Sequence, residues 1–490
     1  MNLHTNINLQ LDDDTPRGER AFTGRHRRPA DEDDTLREEC AVFGVSLAKV
    51  KEAAGITYNG LLSLQHRGQE GAGIAVVDGN SIVCHKDEGL VTEVFSDSVL
   101  GGLPAGRTAV GHTLYSKAGG SKKEKTGPFV TDFLTGRIVA VMNGSITNAD
   151  ALRAELTGYG LHFDTNSDGE IVSSLIAYYI MTERDMLAGV VKAAALLTGA
   201  FSLIIAGVGE KLVAVRDPNG FRPLCLGRSE AGCAAASESC AFDSCGFEFV
   251  RDVRPGEVVL IENGAVTYQG VKLTGRQNGC GLCIFEYAYF ARPDSYIDGL
   301  SVYNARQNMG RALAEEYPAD ADVVCGAPDT GLDAASGYSA QSGIPLVTGF
   351  VKNRYIGRTF IYPTQIQRES AVRLKLNPLS ASIRGKRVVY VDDTIVRGTT
   401  TEATVRSLKS AGATEVHLRI SSPPIRYMCR YGTNMDKEEN LIANKMGLDD
   451  IRLKVGGDSL RFISLGGLTK ACAECGLPFC TECFTGRGGR

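Results

Sequence analysis

The sequence predicts two dissimilar halves, an α+β domain followed by an α/β domain on a parallel sheet, and three observations carry that prediction. Its 490 residues at 43% hydrophobic content exceed what one ordinary core fills. From Cys40 to residue 270, short apolar runs (AVFGV, RTAVGH, RIVAVMN, FSLIIAGVG) mix with helical stretches in no strict alternation. Beyond that point the buried-strand runs ADVVCGAPD, KRVVYVDD and TEVHLRIS alternate with helical stretches at 301–316 and 400–411, as crossovers between parallel strands require.

Residues 1–39 carry 16 charged side chains, with acidic runs at 12–14 and 31–34 and no periodicity, and read as a disordered leader. The first domain spans 40–270; within it EIVSSLIAYYIMTERD places Ile171, Leu175, Ile176 and Tyr179 on one helical face. The second spans 271–470, and a cysteine-rich tail occupies 471–490. A net charge of −4 and a pI near 6.1 argue against a general nucleic-acid binder, whose footprint is basic. No apolar run approaches the roughly 18 residues that span a bilayer, and residues 1–39 lack the apolar stretch of a secretory signal. A cytoplasmic enzyme of small molecules, without nucleic-acid or membrane partners, is the expectation. Fourteen cysteines in a large chain of a reducing compartment suggest metal binding or catalysis before disulfides. Cys84, Cys225, Cys233, Cys240, Cys245 and Cys325 stand in apolar or small-residue contexts and read as small buried hydrophobes.

The run Val388–Val391 stops at two acids, Asp392 and Asp393, so these sit at a strand's carboxyl end, where open α/β sheets bind ligands. TIVRGTTT follows and opens a helix, presenting amides and hydroxyls where phosphate binds well. Paired aspartates after a strand alone would be a solvated turn. The whole string VVYVDDTIVRGTT, however, resembles the signature of type I phosphoribosyltransferases. The resemblance implies that Asp392 and Asp393 hold the ribose hydroxyls, directly or through magnesium, and that Arg397, Gly398, Thr399 and Thr400 hold the 5′-phosphate. Asp329–Thr330–Gly331 resembles the family's pyrophosphate loop, which brings Thr330 into the magnesium shell. Residues 349–377 are basic and aperiodic and read as a mobile lid, in which Arg354, Arg358 and Lys375 would neutralise the leaving pyrophosphate.

Cys40 follows Glu38–Glu39 and opens a strand run, so removal of residues 1–39 as a propeptide would leave it an N-terminal cysteine whose α-amino group is base to its own thiol. Taken alone it is a strand-edge cysteine. LQHRGQEGAGI, NGSITNA, SDGE and AVRDPNGFRPLCLG then resemble, in order, the N-terminal nucleophile glutaminase domain of glutamine phosphoribosylpyrophosphate amidotransferases. That family implies an oxyanion hole of Asn143 and the Gly144 amide, an α-amino site at Asp168, and Arg67 in the pocket. The chain departs from it at Leu114, in GHTLYSKAG, where an arginine usually clamps the glutamine carboxylate, and at Ala41, Met142, Ser145 and Gly169. Either Lys117 supplies the cation, as a looser point charge, or the enzyme uses free ammonia.

By spacing alone, CAEC and CTEC in the tail read as a compact zinc site, although the gap is short for a zinc ribbon. The resemblance instead assigns Cys283, Cys429, Cys480 and Cys483 to a structural [4Fe–4S] cluster, leaving Cys280, Cys472 and Cys475 spare. It covers residues 38–486 and implies nitrogen transfer from glutamine to C1 of phosphoribosyl pyrophosphate, the first step of purine synthesis, with a homotetramer and feedback inhibition by purine nucleotides. A paralogue that senses phosphoribosyl pyrophosphate or nucleotides is the rival reading, favoured by Leu114 and Met142.

Overall fold

The computed structural model describes residues 40–115, 122–275, 281–353, 376–433, 435 and 437–486. Its first half is a stack of two antiparallel sheets. The strands are β1 (Cys40–Lys51), β2 (Gly71–Asp78), β3 (Ser81–Glu88), β4 (Gly106–Leu114), β5 (Phe129–Phe133), β6 (Gly136–Ile146), β7 (Gly199–Gly207), β8 (Lys211–Arg216), β9 (Cys225–Ser229), β10 (Gly232–Ala236), β11 (Glu248–Asp252), β12 (Glu257–Glu262) and β13 (Ala265–Val271). One sheet runs β11-β9-β10-β1-β4-β2-β3 and the other β13-β12-β8-β7-β6-β5.

Side-chain alternation explains the layering. Val42, Val110, Val139, Val141, Ile204 and Val259 pack together between the sheets. The opposite parity, Ala41, Phe43 and Val45, packs under helix α1 (Ala53–Ser63). On the second sheet's outer face Ile138, Ala140, Met142 and Leu203 meet α2 (Asp168–Glu183) and α3 (Met186–Leu196). Ile171, Leu175 and Ile176 of the expected face are buried and Tyr179 is half-buried, but burial is not confined to that face, since every residue from Ile171 to Ala177 is buried.

In the second half four parallel strands lie in the order of the chain: β15 (Val323–Gly326), β16 (Arg387–Asp392), β17 (Glu415–Ile420) and β18 (Ser459–Phe462). A two-residue pair, β14 (Leu282–Cys283) with β19 (Phe479–Cys480), ties in the tail. Helices α4 (Val302–Glu316) and α5 (Gly331–Ser342) cover one face of the parallel sheet. Helices α6 (Thr399–Ser410) and α7 (Leu448–Val455) cover the other. Val388, Val389 and Val391 are fully buried from both sides, as a central parallel strand demands.

The halves meet through buried charge. Arg67 and Glu238, both fully buried, are paired, and Arg67 also donates to Glu286 at 2.7 Å. Glu286 in turn accepts from Arg222 at 3.2 Å, and Arg222 reaches the Tyr431 carbonyl and the Thr433 hydroxyl. Arg216 grips Asp298 with two bonds of 2.7 and 2.8 Å.

Candidate active sites

Cys40 is the first described residue of β1, stands opposite Leu114 of β4, and is buried. It shares strand parity with Val42, so it faces the space between the sheets. Asn143 shares parity with Val139 and Val141 on β6 and faces the same space. Its side-chain nitrogen Nδ2 is buried and has no hydrogen-bond partner among the described residues, an uncompensated donor that normally costs about 1–3 kcal/mol. Gly144 follows at φ +123°, and a Cβ there would lie 2.1 Å from the Ala200 carbonyl oxygen, so only glycine places this amide as it stands.

Asp168 opens α2, whose Ser167 cap accepts from the Gly169 amide at 3.3 Å. Its Oδ2 accepts from the Ser145 hydroxyl at 2.9 Å and the Ile146 amide at 3.3 Å, whereas Oδ1 takes no hydrogen bond from a described residue. Only one of its oxygens is anchored by the described residues. Leu114 is 5% exposed and apolar where a carboxylate clamp is expected; Lys117 lies outside the described residues.

Arg67 is fully buried and held between Glu238 and Glu286, so it joins the two halves. Burial favours a neutral Glu238, but His66 and Arg67 outweigh it and hold this carboxyl well below the usual range. His112 was not singled out from the sequence. It is a buried imidazole on β4 between the Gly127 amide and the Met142 carbonyl, and although it stands within GHTLYSKAG that string does not show its main-chain partners.

At the second site Asp392 ends β16, half-buried, and accepts from the Asp393 amide at 2.9 Å. Asp393 is 6% exposed and takes hydrogen bonds from the Thr330 hydroxyl and, at 2.7 Å, from Thr394. Burial raises its carboxyl above the ordinary value, and these hydroxyls pull the other way. Thr330 thus reaches Asp393 from the neighbouring strand's loop. Gly398 caps α6 at φ +84°, with Ile442 Cδ1 2.9 Å from where a Cβ would be, which leaves Thr399 and Thr400 exposed at the helix start. Arg397 is half-buried. Arg354, Arg358 and Lys375 lie outside the described residues.

The four named cysteines come together from three segments. Cys283 and Cys480 stand opposite each other across β14 and β19. Cys429 packs with Cys480, and the buried Cys483 thiol feels those of Cys283 and Cys429. Burial pushes the Cys283 thiol up to about 12 and raises that of Cys483 as well. Among the described residues no three His, Cys, Asp or Glu side chains could hold a metal ion. Four cysteine sulfurs are a thiolate donor set of the kind that metal–sulfur centres use. Cys472 and Cys475 are buried beside Tyr287, and Cys280 lies outside the described residues.

A nucleophile-bearing antiparallel sandwich joined to an acid-ended parallel sheet defines a two-domain transferase, one half a glutamine amidotransferase and the other a phosphoribosyltransferase. Residues 120–244 match the glutamine amidotransferase domain family and residues 300–422 the phosphoribosyl transferase domain family. The chain is 44% identical over 450 residues to the amidophosphoribosyltransferase of Archaeoglobus fulgidus, covering 91% of this chain and 97% of that one. It is 42% identical to that of Bacillus subtilis over 462 residues, covering 92% and 94%. Among solved structures, that of the allosteric regulatory enzyme of purine biosynthesis superposes with a TM-score of 0.83 at 42% identity, covering 92% and 96%. The B. subtilis glutamine phosphoribosylpyrophosphate amidotransferase complexed with ADP and GMP gives 0.82 at 41%, covering 92% and 97%. The chain belongs to the amidophosphoribosyltransferase family. It is an enzyme that transfers nitrogen from glutamine or ammonia to C1 of phosphoribosyl pyrophosphate, giving 5-phosphoribosylamine, pyrophosphate and, from glutamine, glutamate.

Proposed function

We propose that nitrogen is released from glutamine at Cys40 and used at Asp392–Asp393, in the first step of purine biosynthesis. The observation that carries the glutaminase half is the buried, unpartnered Asn143 Nδ2 on the same inter-sheet space as Cys40. Removal of residues 1–39 frees the Cys40 amine to take the thiol proton; the thiolate attacks the side-chain amide and Asn143 with the Gly144 amide receives the oxyanion. Asp168, anchored through Oδ2, takes the substrate ammonium on Oδ1. With Leu114 in the clamp position, Lys117 supplies the carboxylate's cation and glutamine is held more loosely than by a bidentate arginine.

At the second site Asp392 and Asp393 hold the ribose, and Arg397–Thr400 hold the phosphate at the α6 N-terminus. Arg354, Arg358 and Lys375 would neutralise the pyrophosphate. Two carboxylates and the Thr330 hydroxyl are an all-oxygen donor set suited to magnesium, which would neutralise the substrate's phosphates. Cys283, Cys429, Cys480 and Cys483 would hold a [4Fe–4S] cluster as a structural staple between tail and body. A cytoplasmic homotetramer inhibited by purine nucleotides completes the reading, its nucleotide part supported by the likeness to an enzyme solved with ADP and GMP. The mass of the purified mature chain tests the propeptide: a chain starting at Cys40 agrees, and an active enzyme retaining residues 1–39 contradicts it.

A further inference from the structure

We propose that His112 is a positioning residue of the glutaminase site, holding the Met142–Asn143 peptide so that Asn143 stays aimed at the oxyanion. This rests on reading Asn143 as the oxyanion donor.

His112 is 2% exposed and makes two hydrogen bonds, one on each ring nitrogen. The Gly127 amide lies 3.1 Å from Nδ1, and an amide N–H can only donate. Nδ1 is therefore the lone-pair nitrogen and the proton is on Nε2, which donates to the Met142 carbonyl at 3.2 Å. The ladder between β5 and β6 ends at the pair Phe129–Ala140, so Met142 lies beyond its last rung. A side chain takes up the bonding of a carbonyl that this neighbouring strand no longer reaches. That carbonyl belongs to the peptide unit whose nitrogen is Asn143's own, so its orientation sets where the Asn143 side chain starts. Burial pushes the imidazole down to about 4, which keeps the neutral ring and this bonding pattern through the neutral range.

A second consequence concerns the segment that carries Gly127. A Cβ on Gly71 would meet the Thr126 hydroxyl at 2.3 Å, and one on Gly73 the Gly127 carbonyl at 2.2 Å, so residues 126–127 lie flat on β2. His112 therefore joins a seated strap to the oxyanion strand.

The test compares His112→Phe, His112→Gln and His112→Asn in the full-length enzyme, with Asn143→Ala alongside. Glutamine-dependent kcat in His112→Phe is expected to fall roughly 10–100-fold, with the glutamine KM and the ammonia-dependent rate unchanged. Gln extends its amide to where Nε2 stood and restores part of kcat; Asn reaches only the Gly127 side and does not. An unchanged kcat, a parallel loss of ammonia-dependent rate, or equal rates for Gln and Asn overturns the proposal. The last comparison decides even where the Phe variant fails to fold. If Asn143→Ala keeps full glutamine turnover, the reading of Asn143 itself falls, a different failure from a silent His112.

Discussion

Arg67 donates to Glu286 at 2.7 Å across the meeting of the two halves, with both side chains fully buried. Arg67 is also paired with Glu238, so one guanidinium bridges two buried carboxylates, of which Glu286 is shared with Arg222 and Glu238 with His66. Removing it takes a buried partner from each. Arg67→Met is expected to destabilise the fold by about 3–5 kcal/mol, read as a lowered melting temperature, whereas a glutamine-pocket role would raise KM with the melt unchanged.

The same network sets an acid limit. Glu238 has its carboxyl held below the ordinary value of 4.5, so its contribution to stability is fully present above that pH and is lost as pH falls toward the lower, folded value. Thermal melts of the wild type should weaken on acidification below about pH 4.5, and Glu238→Gln should flatten that part of the profile. An unaltered profile in the variant would contradict the assignment.

At the phosphoribosyl site the Thr330 hydroxyl is bonded to Asp393. Thr330→Val is expected to lower turnover roughly tenfold or more with either nitrogen donor and to raise the magnesium requirement, because it deletes one oxygen of the donor set and leaves a buried carboxylate short of a hydrogen bond. Magnesium titrations of wild type and variant check this; a loss confined to glutamine would count against it.

For the cysteines, anaerobically purified protein should contain iron and absorb near 400 nm, an expectation that rests on the family resemblance. Cys480→Ser should lose both and loosen the tail. A colourless, iron-free wild type would remove the cluster.

Much of this was legible in the sequence because it was local. The run Val388–Val391 is continuously apolar and stops at two acids, so strand, edge and site could be read together. Strand β18 was missed: Ser459–Phe462 is four residues long with an exposed arginine in it, too short for periodicity to register. The ion pairs of Arg67 were not legible because its partners are remote. Glu286 is 219 residues away, and nothing local separates a buried arginine from a ligand-binding one. The departures at Leu114 and Met142 were visible, but the hydrogen bond from His112 to the Met142 backbone was not, since a main-chain acceptor leaves no mark on residue identity.

The central claim is that two separable sites share one chain, and the most direct measurement is phosphoribosylamine formation from phosphoribosyl pyrophosphate with glutamine or ammonium in Cys40→Ala and Asp393→Asn. Cys40→Ala should lose the glutamine reaction and keep the ammonium one, and Asp393→Asn should lose both. Glutamine-dependent turnover surviving in Cys40→Ala, or ammonium-dependent turnover surviving intact in Asp393→Asn, would contradict the account.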